Sequence, residues 1–119
     1  MKVIIAGSRD ITDYDTVCDV MKQFNETHKI QITEVVSGTA KGIDQLGERW
    51  AKDNKVAIKK FPANWDLYGR AAGYRRNEEM AAYAEVVIAI WDGVSKGTGH
   101  MIDIGKREGL KVFVYTPQE

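Results

Sequence analysis

Residues 35–51, "VVSGTAKGIDQLGERWA", contain the features of a strand, a glycine turn and a helix in direct succession. Val35 and Val36 end an apolar run that is typical of a buried strand, and the turn occupies residues 37–42. Beyond the turn, apolar and small residues recur at helical spacing, at Ile43, Leu46, Gly47, Trp50 and Ala51. A strand that leads through a tight turn into an amphipathic helix is the building unit of α/β proteins, so this stretch predicts that fold class.

The rest of the chain repeats this unit. Most of its apolar runs are continuous rather than alternating, as expected for strands covered on both faces; the runs are Val3–Ala6, Thr33–Val36, Val56–Phe61, Val86–Trp91 and Lys111–Tyr115. Segments with helical periodicity separate them, at residues 12–28, 40–54, 73–84 and 98–108. The alternation predicts a doubly wound α/β fold of about five mostly parallel strands in the order 3-2-1-4-5, with helices on both faces.

Local signals predict where some of these elements begin and end. Thr12 followed by Asp15 is similar to a capping box, and Gly109 is a typical helix stop. Residues 62–73, "PANWDLYGRAAG", are irregular and long for a connection, so they form either a functional loop or an insertion with a short extra helix. The aromatic residues of this region either stack on a nucleobase or pack the segment onto the sheet; they are Trp65, Tyr68 and Tyr74.

Length and composition narrow the classes of function. A chain of 119 residues predicts one domain over residues 1–119, and 17 basic residues balance 17 acidic ones, so a general nucleic-acid or membrane-surface binder is not favoured. The single Cys18 argues against a disulfide framework or a multi-cysteine metal site, and we expect neither a metal nor a cofactor. The N-terminus does not resemble a signal peptide, and no apolar run approaches the roughly 20 residues that span a bilayer, so we expect a cytoplasmic protein.

The residues that follow the strands predict a phosphate or pyrophosphate site. In open parallel sheets, ligands bind beyond the carboxyl ends of the strands, near the point where the strand order reverses. Glycines permit close backbone approach to an anion, and helix N-termini present free N–H groups at the positive end of the helix dipole. Each turn alone could equally be plain turn chemistry, but three of the five strand ends combine glycine with hydroxyl and cationic side chains. The expected ligand-binding residues are Gly7, Ser8, Arg9, Ser37, Gly38, Thr39, Lys41, Asp44, Asp92, Gly93, Ser95, Gly97 and Thr98, with Lys96 adding cationic charge.

Two further observations refine this hypothesis. Neither G-x-x-x-x-G-K-[ST] nor G-x-G-x-x-G is present, so we expect neither a P-loop kinase or ATPase nor an ordinary dinucleotide-dependent dehydrogenase. The stretch "GYRRNEEMA" is either a solvated, charged helix start or places an arginine in the cleft, where its planar fork binds two phosphate oxygens. In the second case Arg76 clamps the phosphate, Asn77 contacts the sugar or base, and the nearby His100 donates to the ligand.

Four segments, in the same order, resemble one family. They are "GSRD", "VVSGTAKGID", "FPANW" with "AAGYRRNEEMA", and "DGVSKGTGHMID". Together they cover nearly the whole chain and are similar to the SLOG superfamily, in particular its small YspA/YpsA-like branch of bacteria and phages. The superfamily includes the LOG-type phosphoribohydrolases and the DNA-processing protein of natural transformation. The resemblance implies a Rossmann-like fold, a nucleotide or nucleotide-sugar phosphate as ligand, a homodimer and, for a phage-encoded protein, the host cytoplasm.

A residue-by-residue comparison with the LOG enzymes separates phosphate binding from hydrolysis. Their signature P-G-G-x-G-T-x-x-E is similar to residues 93–101, in which Gly97 and Thr98 are retained but Met101 stands at the position of the catalytic glutamate. The LOG segment R-K-x-x-M resembles residues 76–80, which makes Arg76 a candidate catalytic residue. A thioether cannot act as a base, so hydrolysis requires a carboxylate from another position; the candidates are Asp44, Glu79, Asp92 and Asp103.

These observations predict a protein that binds a nucleotide or a related NAD- or ADP-ribose-like phosphate, as a sensor or sequestering domain. One alternative is a nucleotide N-glycoside hydrolase of the LOG type, in which Arg76 acts with a displaced carboxylate such as Asp103. The other is an accessory protein of nucleic-acid processing.

Overall fold

The computed structural model describes residues 1–117, in which strands and helices alternate along the chain. The strands are β1 (Lys2–Gly7), β2 (Glu34–Ser37), β3 (Ala57–Lys60), β4 (Val86–Ile90) and β5 (Lys111–Tyr115). The helices are α1 (Tyr14–His28), α2 (Ile43–Asp53), α3 (Trp65–Tyr68), α4 (Ala72–Tyr83) and α5 (Lys96–Arg107), and a 3-10 turn at Gly69–Ala71 joins α3 to α4.

The strands form one parallel sheet in the order β3-β2-β1-β4-β5. The predicted fold class and strand order are therefore confirmed. From β1 the chain continues to β2 on one side, and from β4 it continues to β5 on the other, so the strand order reverses between β1 and β4. These two strands pair over five residues and end side by side, with Gly7 opposite Ile90. The reversal creates the crevice in which doubly wound proteins bind ligands.

Alternate residues of β1 point to two separate apolar cores, one on each face of the sheet. Val3 and Ile5 pack in the core formed with α1 and α2, which includes Trp50. Ile4 and Ala6 pack in the core formed with α4 and α5. Because both faces are covered, the central strands need apolar residues at every position, which explains the continuous apolar runs in the sequence.

The predicted capping box at Thr12 is wrong, whereas the predicted stop at Gly109 is confirmed. The N-cap of α1 is Asp13, whose carboxylate accepts the N–H of Asp15 at 3.0 Å. At the end of α5, Gly109 has a φ of +81°, and the next N–H, that of Leu110, donates to the carbonyl of Gly105 at 2.9 Å. This backbone conformation favours glycine and closes the last turn of the helix.

The irregular segment 62–73 contains a short extra helix, as one of the two alternatives for it predicted. The side chain of Asn64 accepts the N–H of Leu67 at 3.0 Å and so begins α3. α3 has no buried residue, and its Trp65 is 54% exposed. The aromatic side chains of α3 are therefore not used to pack the segment into the core.

Candidate functional site

A cavity of about 360 Å³ opens at the carboxyl edge of the sheet, beside the ends of β1 and β4. The loop after β1, the start of α2, the inner side of α4 and the start of α5 surround it. Its lining includes the following predicted site residues: Gly7, Arg9, Asp44, Arg76, Asn77, Ser95, Gly97 and Thr98. The volume is in the range of small-molecule sites.

The loops after β1 and β4 are held together by a hydrogen-bond network around the buried Ser8. Its Oγ accepts the N–H of Asp92 at 3.0 Å and lies 3.2 Å from the Oγ of Ser95. The Asp92 carboxylate accepts the N–H groups of Val94 and Ser95 at 2.9 and 2.8 Å, and these bonds lower the pKa of Asp92 to about 2. Ser8 and Asp92, both predicted to bind ligand, therefore shape the loops and are absent from the lining of the cavity.

The loop after β2 has a comparable supporting role. The fully buried Ser37 donates its hydroxyl to Glu48 at 2.6 Å and accepts the N–H of Thr39 at 3.1 Å. The carbonyl of Gly38 accepts a hydrogen bond from Nη1 of Arg76. This loop therefore positions the arginine that reaches the cavity. Three other predicted residues are exposed and outside the lining of the cavity, namely Lys41, Gly93 and Asp103.

The start of α5 presents free N–H groups to the cavity. Ser95 is its N-cap, but the hydroxyl of Ser95 donates to Asp92 at 2.8 Å and does not cap the helix. The first helical bond of α5 runs from Gly99 N–H to the Ser95 carbonyl. The preceding N–H groups have no protein acceptor within residues 1–117; they belong to Lys96, Gly97 and Thr98. Such a helix start is favourable for an anion.

Asn77 joins α4 to the start of α5. It is buried, and its Nδ2 donates to the carbonyl of Gly97 at 3.2 Å and lies 3.1 Å from Nδ1 of His100. Its Oδ1 accepts from Nε of Arg76 at 3.1 Å. Burial lowers the pKa of His100, which agrees with a neutral ring whose Nδ1 accepts from Asn77. Asn77 thereby orients both the arginine and the helix start.

The charges around the cavity are unequal. Its cationic side chains are Arg9, Arg76 and Lys96, and its carboxyl groups are those of Asp10 and Asp44. Burial raises the pKa of Asp44 to about 6, against the opposing effects of the Ala40 N–H bond and the charge of Arg76. Burial and the cation at Arg9 lower the pKa of Arg76, and Asp44 opposes this shift. The lining therefore carries a positive excess, which increases when Asp44 takes up a proton.

Met101 lines the cavity and is otherwise buried. A thioether therefore borders the cavity at the position that corresponds to the LOG glutamate. Sequence reasoning missed Ala6, Asp10, Ala40 and Met80 as lining residues. Asp10 and Ala40 lie in the loops after β1 and β2 that the sequence singled out, whereas Ala6 and Met80 belong to apolar patterns, so only the first two had a signal nearby.

Comparison with known proteins identifies the family. Residues 1–68 match the YspA, cpYpsA-related SLOG family. The chain is also 35% identical over 119 residues to the Gene 61 protein of Mycobacterium phage D29, with 94% of each chain covered. The chain belongs to the YspA, cpYpsA-related SLOG family. The SLOG resemblance carried by the four sequence segments is thereby confirmed.

The fold of this SLOG-family chain is similar to that of DNA processing protein A (DprA) from Streptococcus pneumoniae. The X-ray structure of that protein matches 99% of this chain with a TM-score of 0.76 and 21% sequence identity. This chain spans half the length of that protein. The likeness shows a shared Rossmann-like fold.

A metal-binding cluster and a membrane-spanning helix are both absent from the part of the chain that the structure describes. Residues 1–117 contain no group of three or more His, Cys, Asp or Glu side chains able to hold a metal ion. No helix among them is both long and apolar enough to cross a membrane.

Proposed function

We propose that this SLOG-family protein binds a nucleotide or a nucleotide-derived phosphate in the cavity between the ends of β1 and β4, as a sensor or sequestering domain. One observation carries the proposal: the free N–H groups at the start of α5 and three cationic side chains converge on the same cavity. Such groups complement a phosphate by hydrogen bonding and by charge.

The lining assigns parts of the ligand to parts of the cavity. The N–H groups of Gly97 and Thr98 and the guanidinium groups of Arg9 and Arg76 bind the phosphate. Asp44, beside Arg76, accepts a hydrogen bond from a sugar hydroxyl. Met80 and Met101 provide an apolar surface for the sugar. Met101 cannot act as a base, and of the four candidate carboxylates only Asp44 lines the cavity, where it is assigned to the sugar hydroxyl. We therefore expect binding without turnover, and chromatography should detect no free base after incubation with nucleoside monophosphates.

Removal of one cation tests the phosphate site. Arg9 is exposed at the cavity and makes no side-chain hydrogen bond within residues 1–117, so Arg9→Gln should leave folding intact. We expect this change to weaken nucleotide binding by roughly 10- to 150-fold, the effect of losing a charged hydrogen bond. Calorimetry and thermal shift with nucleoside mono- and diphosphates and ADP-ribose measure it.

Arg107→Gln is the matched control, because Arg107 is an exposed cation in the last turn of α5. This variant should bind nucleotides like the wild type. If no phosphate compound raises the melting temperature, or if the two variants lose affinity equally, the cavity is not a phosphate site.

Binding of single-stranded nucleic acid is the second candidate, favoured by the structural likeness to DNA processing protein A. Exposed Arg70 and Arg75 extend the cationic surface beyond the cavity. Fluorescence anisotropy with labelled oligonucleotides distinguishes the candidates. The second one predicts affinity that falls steeply with salt and is not reduced by mononucleotides. Competition by a mononucleotide would favour the cavity.

A further inference from the structure

α3 and the start of α4 expose aromatic surface next to the cavity. Trp65 is 54% exposed and Tyr74 is 44% exposed. Most of the large hydrophobic side chains exposed within residues 1–117 belong to this region, namely Trp65, Leu67, Tyr68 and Tyr74. Neither apolar core of the sheet includes them. The fold therefore does not account for this concentration of exposed aromatic rings.

Trp65 is adjacent to the arginine that lines the cavity. Nη2 of Arg76 and Cη2 of Trp65 lie 3.7 and 3.8 Å from the same point, the position that a β-carbon on Gly73 would occupy. Both distances are ordinary van der Waals contacts, and because Gly73 has no side chain, none of its own atoms separates the indole from the guanidinium. A ligand that holds a phosphate against Arg76 therefore has the indole within its immediate reach.

The other aromatic rings of this region are already engaged. Tyr74 packs edge to face against His100, with ring centroids 4.5 Å apart. The guanidinium of Arg75 lies over the ring of Tyr68, 4.9 Å from its centroid. Trp65 has no aromatic or cationic partner of this kind within residues 1–117, and tryptophan offers the largest π-surface for stacking.

We propose that Trp65 is the surface on which the nucleobase of the bound nucleotide stacks. This inference rests on the proposed function, because it requires a nucleotide phosphate in the adjacent cavity. Arg75 lies over the ring of Tyr68 and Arg76 lies near Trp65, and such cations suit an anionic ligand with an aromatic base better than an apolar protein surface. Stacking accepts any base, since every base has a π-face, so Trp65 distinguishes nucleotides from sugar phosphates.

The test compares ligands with and without a base. Binding of the four common nucleoside monophosphates and of ribose 5-phosphate is measured by calorimetry for the wild type, Trp65→Ala, Trp65→Phe and Tyr68→Ala. For the nucleotide that binds most tightly, Trp65→Ala should weaken affinity by about 5- to 150-fold, the usual effect of losing one stacked base. The same variant should leave ribose 5-phosphate unchanged. Trp65→Phe should retain most of the affinity, and Tyr68→Ala, the control on the same short helix, should retain all of it.

The possible failures are distinguishable. If Trp65→Ala weakens ribose 5-phosphate as much as the nucleotide, or if the wild type does not prefer the nucleotide, base stacking is refuted and the phosphate site stands. If neither ligand binds the wild type, the phosphate site and this inference fall together. If Trp65→Ala instead dissociates a dimer in sedimentation experiments while nucleotide affinity is unchanged, the surface is an interface between copies of this chain.

Discussion

Asp44 is a buried carboxyl group in a cavity whose other charges are mainly positive. It lies in the first turn of α2, and its carboxylate accepts the N–H of Ala40 at 3.2 Å. Desolvation outweighs this bond and the nearby Arg76, so the pKa of Asp44 is about 6 instead of 3.8. At neutral pH the protein therefore holds a carboxylate whose burial costs free energy.

The raised pKa of Asp44 should make the stability of the protein depend on pH. Because the folded pKa lies above the unfolded one, the folded state binds more protons between about pH 4 and 6, and the free energy of unfolding falls as the pH rises through this window. The amide in Asp44→Asn cannot titrate. The free energy of unfolding of this variant should therefore rise relative to that of the wild type by up to roughly 3 kcal/mol from about pH 4 to pH 7. Urea unfolding at several pH values measures it. Parallel pH profiles for the two proteins would contradict the assignment.

α2 packs against β1 through a glycine. A β-carbon on Gly47 would lie 2.9 Å from Cγ2 of Ile5, closer than real side chains approach. The close approach brings the start of α2, with Asp44, to the end of β1, where Gly7 and Arg9 line the same cavity. The small residue in the apolar stripe of α2 thus contributes to the position of the site.

Replacement of Gly47 by alanine should change stability in the direction opposite to the usual effect of helix propensity. Alanine normally stabilises a helix interior by about 0.5–1 kcal/mol relative to glycine. Gly47→Ala should instead destabilise the protein by about 1–3 kcal/mol, because α2 or Ile5 must move. Gly97→Ala is the control: a β-carbon there has no neighbour within 4 Å, so stability should be unchanged or slightly increased. Equal effects of the two substitutions on urea unfolding would show that the packing of α2 is not this close.

The whole molecule concentrates its polar loops at one edge of the sheet. The parallel register brings the ends of β1, β2 and β4 together, and the loops that follow them adjoin or support one cavity. The opposite edge contains the loops that enter the strands, such as residues 29–33 between α1 and β2. A ligand in the cavity therefore contacts only one end of the molecule.

Hydrogen exchange with and without a bound nucleotide should reveal this asymmetry. We expect slower exchange in the loops after β1 and β2 and in the first turn of α5, because the ligand accepts their N–H groups and holds the loops together. Residues 29–33 and 108–110 should exchange at unchanged rates. Mass spectrometry of peptic fragments resolves these regions, and protection that is spread evenly over both edges would argue against a single cavity.

The sequence by itself determined the fold and the edge of the sheet at which the cavity opens. A continuous apolar run reflects a strand that is buried on both faces, and a helical stripe reflects a helix that is buried on one face. Both patterns are local properties of a segment. Strand order and the end that carries the glycine turns follow from the order of those segments. Arg9, Asp44 and Gly97, which the sequence predicts to bind a ligand, accordingly lie in the lining of the cavity.

Only the tertiary structure decided which residues meet the cavity and which support it. Arg76 donates to Gly38, 38 positions away, and Asn77 donates to Gly97, 20 positions away. Such contacts depend on how the helices pack on the sheet, and the hydrophobic periodicity of the sequence does not specify that packing. Ser8 and Lys41 occur in equally suggestive turns, yet one is buried in a loop network and the other is exposed beyond the lining. Trp65 and Arg76 likewise approach each other only because α3 and α4 converge beside Gly73 in the folded chain.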